Sequence, residues 1–271
     1  MTNIMTIVDA VFLGILQGIT EPWPISSSGH LVLAHWLLGE ETGSTLAFDA
    51  AIHLATGLAI AWYFRSDIIA LLRRALRAPQ EGFPREILWI TFASLPAALV
   101  GVLLADAIEA HARSPYVVAL ALAFGSLAML GAEILSRVRQ AVSPSAGRLF
   151  AIGLAQTLAL IPGVSRSGIT IAAARAQGFA PEESARWSFL IGLPVIFGAG
   201  LWALAKMFLG AQSASSIGWE LVAVASLSAF LAAFVALVLL IPLLKRWGLV
   251  PFALYRLVLA GVLVGMFLAS H

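Results

Sequence analysis

Two short polar runs interrupt a very apolar chain, and both carry residue types able to handle a phosphate. The run Pro162 to Thr170 reads Pro-Gly-Val-Ser-Arg-Ser-Gly-Ile-Thr. Proline and glycine end the incoming helix, and serine is a good N-cap for the outgoing one. The first turn of that helix offers free N–H groups and the positive end of its dipole, both suited to a phosphate. Arg166 adds a planar donor fork that matches phosphate oxygens. The plainer reading is that Arg166 pairs with Glu21 and only holds two segments together.

The earlier run supplies Gln17, Glu21, Ser26, Ser27 and His30. Gln17 and Glu21 are four apart and share one helical face. Ser27 and His30, three apart at the start of the next helix, share another. A hydroxyl beside an imidazole is a candidate nucleophile and base. A carboxylate near a pyrophosphate suits a divalent cation that neutralises the substrate charge. Taken alone, serines in a turn are caps and a lone histidine is a structural group; the convergence of acid, base, hydroxyls and arginine on two runs is what points to chemistry.

The elements that position these residues are set by composition. Of 271 residues, 61% are hydrophobic and 11% charged, with mean hydropathy +0.96. Soluble domains carry about 25% charged residues, so a water-soluble globule and a disordered chain are both excluded. The chain has no cysteine, which removes disulfides, Cys-ligated zinc and thiol catalysis. The net charge of +2 comes from 16 basic and 14 acidic residues and gives no reason to expect a nucleic-acid partner. The first residues lack the basic run and cleavage site of a signal peptide.

Six segments approach the roughly 20 apolar residues that cross a bilayer: 48–64, 87–105, 117–135, 187–209, 221–244 and 252–269. Segments 8–38 and 149–176 are each broken at the polar runs and read as hairpins that enter the bilayer and return. Irregular backbone survives at that depth only when buried in protein or lining a wet cavity. With six spans and two re-entrant hairpins, Arg65, Arg73, Arg74, Arg77, Arg85, Arg137, Arg139, Arg148, Arg175, Arg186, Lys245 and Arg246 fall on one side, expected to be cytoplasmic. The opposite loops, 106–116 and 210–220, carry only Arg113.

The broken segments align at an offset of 139: Gly14 with Gly153, Gln17 with Gln156, Ser26 with Ser165, Ser28 with Ser167 and Gly29 with Gly168. Each half is a hairpin plus three spans, and an odd number of spans inverts the second copy. The expected fold is an all-α polytopic membrane protein, a single membrane domain over 1–271. Its six transmembrane helices and two re-entrant helical hairpins form an inverted-topology repeat (about 1–140 and 141–271), with the hairpin tips meeting near the midplane. Inverted repeats with broken helices also mark midplane sites in transporters.

Gln17 to Glu21 resembles the (E/Q)xxxE motif of the undecaprenyl pyrophosphate phosphatase family, the bacitracin-resistance phosphatases. Pro162 to Thr170 matches that family's PGxSRSxxT motif at every fixed position, and Ser26-Ser27-Ser28-Gly29-His30 is similar to the family's stretch. The likeness covers essentially the whole chain, including Pro251 to Arg256. Gln17 stands where the motif often has Glu, which leaves Glu21 as the main carboxylate. The resemblance implies hydrolysis of undecaprenyl pyrophosphate to the monophosphate and inorganic phosphate, recycling the cell-wall lipid carrier and conferring bacitracin resistance. It also implies a Mg²⁺ or Ca²⁺ requirement and a site open to the periplasmic face of the bacterial inner membrane.

Phosphoryl transfer is catalysed mainly by positioning and charge neutralisation. The expected roles follow from that. Arg166 and the N–H groups around Ser165–Gly168 hold the distal phosphate, with Ser167, Thr170 and Ser26 as further contacts. Glu21 and Gln17 hold the cation. Ser27 is the nucleophile and His30 its base, with direct attack by His30 as the alternative. The expected partners are the polyprenyl pyrophosphate substrate and membrane lipid, with a homodimer left open. Asp49 with His53 and Glu133 with Arg137, each four apart, read as structural pairs. Arg256, inside the last span, needs a partner or a wet cavity. The rival functions are an inverted-repeat transporter or lipid flippase, an ion channel, and the other class of membrane lipid phosphatase. The last lacks its late His and Asp here.

Overall fold

The computed structural model describes residues 5–38, 46–111, 114–208 and 218–269. Among these the secondary structure is helical, with no strand. The first hairpin is α1 (Ile7–Thr20) and α2 (Ser27–Leu38). It is followed by α3 (Leu46–Tyr63), α4 (Arg65–Leu76), the single turn α5 (Ala78–Glu81), α6 (Arg85–His111) and α7 (Pro115–Val138). The second hairpin is α8 (Ala146–Gln156), a 3₁₀ turn (Thr157–Leu160) and α9 (Arg166–Ala176). It is followed by α10 (Pro181–Phe208), α11 (Trp219–Trp247) and α12 (Val250–Ala269).

Among the described residues five helices are long and apolar enough to cross a membrane: α6, α7, α10, α11 and α12. The sixth expected span is α3, which bends by 72° into α4, and the bent pair passes the same test. The bend lets α4, with Arg73 and Arg74 in its last turn and no buried side chain, lie apart from the apolar stretch. Outward side chains of the long helices are apolar, among them Val102, Leu120 and Val258. A water-facing helix would carry polar residues there.

Neither broken segment is a continuous crossing. Helix α1 has 14 residues, about 21 Å of rise against a bilayer core of about 30 Å. Asp9 and Thr6 close a capping box at its start. Helix α9 is embedded in protein, with Ser167, Ile169, Ile171, Ala172 and Ala174 all buried, which is the environment that irregular backbone at depth requires.

The halves interlock reciprocally. The first hairpin's α1 packs along α11 of the second half, and the second hairpin's α8 packs along α6 of the first. Glycine makes both approaches close. A Cβ on Gly18 would stand 2.5 Å from the Ala229 carbonyl oxygen, and one on Gly153 would overlap the Ala93 backbone. Helices α3 and α10 pack together, as do α7 and α12.

Ion pairs gather the basic segments at one end. Arg186 Nε lies 2.7 Å from Asp67 Oδ1, joining α10 to α4. Lys245 at the end of α11 pairs with Glu182 at the start of α10. Helices α10 and α11 thus begin and end beyond the expected spans, because their charged ends have partners. Glu133 departs from expectation. It accepts from Arg175 Nε at 3.1 Å and Nη2 at 3.2 Å, and from the Leu249 N–H at 3.2 Å. The partner is therefore Arg175, brought from α9 by packing, and not Arg137 on the same helix. Arg113 and most of loop 210–220 lie outside the described residues.

Candidate active site

The two hairpin tips repeat one miniature structure. Ser26 and Ser165 have φ of 74° and 71°, and among the described residues no other non-glycine has positive φ. That conformation is costly for a side chain bearing Cβ and marks a constrained position. Each hydroxyl oxygen accepts from the N–H three residues on, Gly29 at 3.3 Å and Gly168 at 3.1 Å. Each also lies 3.3 Å from the serine two residues on, Ser28 or Ser167. The turns thus start α2 and α9 alike.

The tips touch. The Gly163 N–H donates to Ser28 Oγ at 3.2 Å, and Ser167 Oγ donates to the Trp23 carbonyl at 3.1 Å. Arg256, fully buried, donates through Nη2 to the Gly163 carbonyl at 2.9 Å and the Leu122 carbonyl at 3.2 Å, and through Nη1 to the Pro24 carbonyl at 3.5 Å. The late arginine is thus a brace between the tips, which answers the need of a buried cation for acceptors.

Glu21, at the end of α1, is the hub. Arg166 Nη2 lies 2.7 Å from its Oε1. Ser27 Oγ donates to its Oε2 at 2.6 Å and Gln17 Nε2 at 3.2 Å. His53 Nδ1 is 3.5 Å from the same oxygen and touches the Gln17 amide. Arg166 also lies over the Phe189 ring, 5.7 Å from its centroid. Its Nη1 is buried with no hydrogen-bond partner. Gly192 makes room for it, since a Cβ there would stand 2.5 Å from Nη1.

A cavity of about 470 Å³ opens beside this hub. Its polar lining is Glu21, Ser28, Asp49, His53, Gln156 and Arg166, and the rest is mainly apolar, including Leu160, Val195 and Ile196. Such a cavity takes an amphiphile with an anionic end: the free Arg166 donor meets the charge and the apolar wall meets the tail.

Four expected contacts are placed differently. The spacing of Ser27 and His30 predicts a hydroxyl–imidazole pair, but Ser27 bonds to Glu21. His30 Nδ1 donates to the Ser26 carbonyl at 2.7 Å, so Nε2 accepts from the Tyr255 hydroxyl at 2.7 Å. The two rings stack within 5° of parallel. Thr170 Oγ1, fully buried, donates to the Arg166 carbonyl at 2.7 Å and lies 2.6 Å from Ser188 Oγ. Ser167 is taken up by the first hairpin's carbonyls, and the Gly168 N–H by Ser165. Ser167, Gly168, Thr170 and His30 build the tips and are not part of the cavity lining.

His53, which spacing pairs with Asp49, also reaches the Glu21 and Gln17 side chains, a contact that spacing does not report. Tyr255 and Gly192 carry no sequence signal. Gln156 had one, its alignment with Gln17. For the expected cation, Glu21 and Gln17 are adjacent and Gln17 Oε1 is buried and unpartnered. Among the described residues no group of three His, Cys, Asp or Glu could enclose a metal. Glu21 and Gln17 are the residues that would hold a hard divalent cation, whose preferred ligands are oxygens.

Residues 10–262 match the family model described as bacitracin resistance protein BacA. The chain is similar to proteins named undecaprenyl-diphosphatase. The one from Alcanivorax borkumensis is 42% identical over 264 residues, covering 94% of this chain and 97% of that protein. The one from Geobacter sulfurreducens is 40% identical over 273 residues, covering 98% and 100%. The one from Dichelobacter nodosus is 37% identical over 274 residues, covering 97% and 100%.

Proposed function

The chain belongs to the bacitracin resistance protein BacA family, and from that premise we propose that it is a multi-pass membrane phosphatase that hydrolyses undecaprenyl pyrophosphate to undecaprenyl phosphate and inorganic phosphate. One observation carries the reading: Arg166 from one tip and Ser27 from the other meet on the Glu21 carboxylate beside a half-apolar cavity. The reaction recycles the lipid carrier of cell-wall polymers, and its loss sensitises the cell to bacitracin.

In the proposed mechanism the incoming diphosphate takes the free Nη1 of Arg166 and then competes for Nη2. Glu21 Oε2, which the Ser27 hydroxyl already faces at 2.6 Å, accepts the Ser27 proton. Ser27 Oγ forms a bond to the distal phosphorus as the bridging P–O bond breaks, and undecaprenyl phosphate leaves. Water then cleaves the phosphoserine and releases phosphate, with the Glu21 proton returned to Ser27. Positioning and charge neutralisation dominate such transfers. His30 fixes the Ser26 carbonyl and hence the turn that presents Ser27. When bound, a Mg²⁺ or Ca²⁺ held by Glu21 and Gln17 would neutralise charge on the diphosphate. The site faces the periplasm of the bacterial inner membrane, on the side away from the basic end, and the two repeats run in opposite directions.

The test is phosphate release from farnesyl or undecaprenyl pyrophosphate by the purified chain, with and without EDTA, beside Glu21→Ala. Release that needs Glu21 and stops with EDTA supports the reading. Lipid transfer across a vesicle bilayer without phosphate release would replace it with the flippase reading, which the reciprocal packing of the halves favours.

A further inference from the structure

Gln156 is the last residue of α8, is 1% exposed, and lines the cavity. Neither its amide nitrogen nor its amide oxygen has a hydrogen-bond partner, so the choice of amide orientation does not alter the finding. A buried amide left unbonded on both sides is costly, and each such group in a folded protein calls for an explanation.

Its counterpart in the first hairpin shows what is missing. Gln17, equally buried, donates to Glu21 four residues on and touches His53. Four residues after Gln156 the chain has Leu160, so the second hairpin keeps the glutamine and lacks the carboxylate. Both Leu160 and Gln156 form cavity wall with Arg166, whose Nη1 is likewise buried and unpartnered. Two residues that each keep a buried donor without a protein acceptor thus line one cavity.

We propose that Gln156 is a substrate-binding residue: its NH₂ donates to an oxygen of the diphosphate that Arg166 Nη1 also holds. The proposal rests on the phosphatase reading of the same cavity. An amide suits this place because it adds a donor to a polyanion without adding a charge that would compete with Arg166 for Glu21. A hydrogen bond to a charged group changes affinity by roughly 10- to 100-fold.

The test uses the full-length purified chain and compares wild type with Gln156→Leu and Gln156→Asn. Phosphate release from farnesyl pyrophosphate is measured, and thermal unfolding with and without inorganic pyrophosphate and Mg²⁺. Gln156→Leu should lower kcat/KM roughly 10- to 100-fold. It should leave the ligand-free midpoint unchanged or raised, because an unpaired buried amide has gone. It should also shrink the rise in midpoint that pyrophosphate causes in wild type. A residue that only packs would do the reverse, lowering the midpoint and leaving the pyrophosphate rise intact. Should the leucine variant not fold, Gln156→Asn, which draws both amide groups back by one methylene, should still show the reduced rise. Wild-type kcat/KM and a wild-type rise in either folded variant overturn the proposal. Failure of wild type to release phosphate overturns the phosphatase reading instead, and the pyrophosphate rise then still tests Gln156.

Discussion

Arg166 Nη2 and Glu21 Oε1 are 2.7 Å apart although 145 residues separate them in the chain, and the second guanidinium nitrogen is left without a partner. The fork therefore has one prong on the protein and one to spare. Lysine has a single point of charge and cannot serve both. Arg166→Lys is expected to stay folded and to lose at least about 100-fold in kcat/KM, given that oriented donors are worth roughly that much in transfer reactions. Arg166→Ala leaves Glu21 without its cation and should destabilise the fold by about 3–5 kcal/mol. Thermal unfolding and phosphate release, measured together on both variants, separate these effects.

Gly192 sets the position of that arginine from a different helix. A methyl group at this position would stand 2.5 Å from Nη1 and 3.2 Å from Cζ, so Gly192→Ala should push the guanidinium out of place and cost roughly 10-fold or more in kcat/KM. Gly198 lies on the same helix with open space where a Cβ would go. Gly198→Ala should behave as wild type in the same assay. Equal activity of the two variants would contradict the role given to Gly192.

The turn serines give a paired stability prediction. Ser165 combines a positive φ with a cap on the Gly168 N–H, so removing the hydroxyl and relieving the backbone pull in opposite directions. Ser165→Ala keeps the strain and loses the cap, costing about 1–2 kcal/mol. Ser165→Gly loses the cap and relieves the strain, so its cost should be only a few tenths. The order glycine above alanine in unfolding midpoint should repeat at Ser26, because the same geometry occurs there. A reversed order at either serine would show that φ is not the governing constraint.

Much of this architecture was legible in the sequence. Low charge fixed the class, and the proline, glycine and serine breaks located both hairpins. The 139-residue offset located the two matching turns. Partner choice was less legible, because spacing reports only local neighbours. Ser27 and His30 share a helix, yet Ser27 reaches back to Glu21 and His30 reaches Tyr255 on α12. Glu133 had Arg137 one turn away and took Arg175 from another helix. His53 had Asp49 nearby and also joined Glu21. His30–Tyr255 and Glu133–Arg175 are delivered by packing between the two halves, His53–Glu21 by packing of α3 on α1, and Ser27–Glu21 by the turn of the first hairpin; helical spacing encodes none of them.

The Glu133–Arg175 pair offers a direct check on that distinction. Glu133→Ala removes the acceptor for two guanidinium nitrogens and for the Leu249 N–H, and should cost about 3–5 kcal/mol. Arg137→Ala should stay within about 0.5 kcal/mol of wild type, as for an ordinary surface substitution. A large loss in the Arg137 variant would restore the local pairing that spacing alone suggests.

The proposed identity of the nucleophile rests on where two side chains spend their hydrogen bonds. His30 has its Nδ1 proton on the Ser26 carbonyl and its Nε2 on the Tyr255 hydroxyl, so attack by the ring would require breaking the second bond. Ser27 already points its proton at a carboxylate 2.6 Å away. Rapid acid quenching during turnover, followed by mass mapping, should find phosphate on Ser27. Phosphoserine survives acid and phosphohistidine does not, so a parallel alkaline quench is needed to keep the comparison fair. Tyr255→Phe should lower kcat by less than about 10-fold, since one hydrogen bond to a positioning ring is lost, whereas Ser27→Ala should abolish turnover. Phosphate recovered on His30 under alkaline quench, with Ser27→Ala still labelled, would move the nucleophile to the histidine and make Tyr255 the group that must release it.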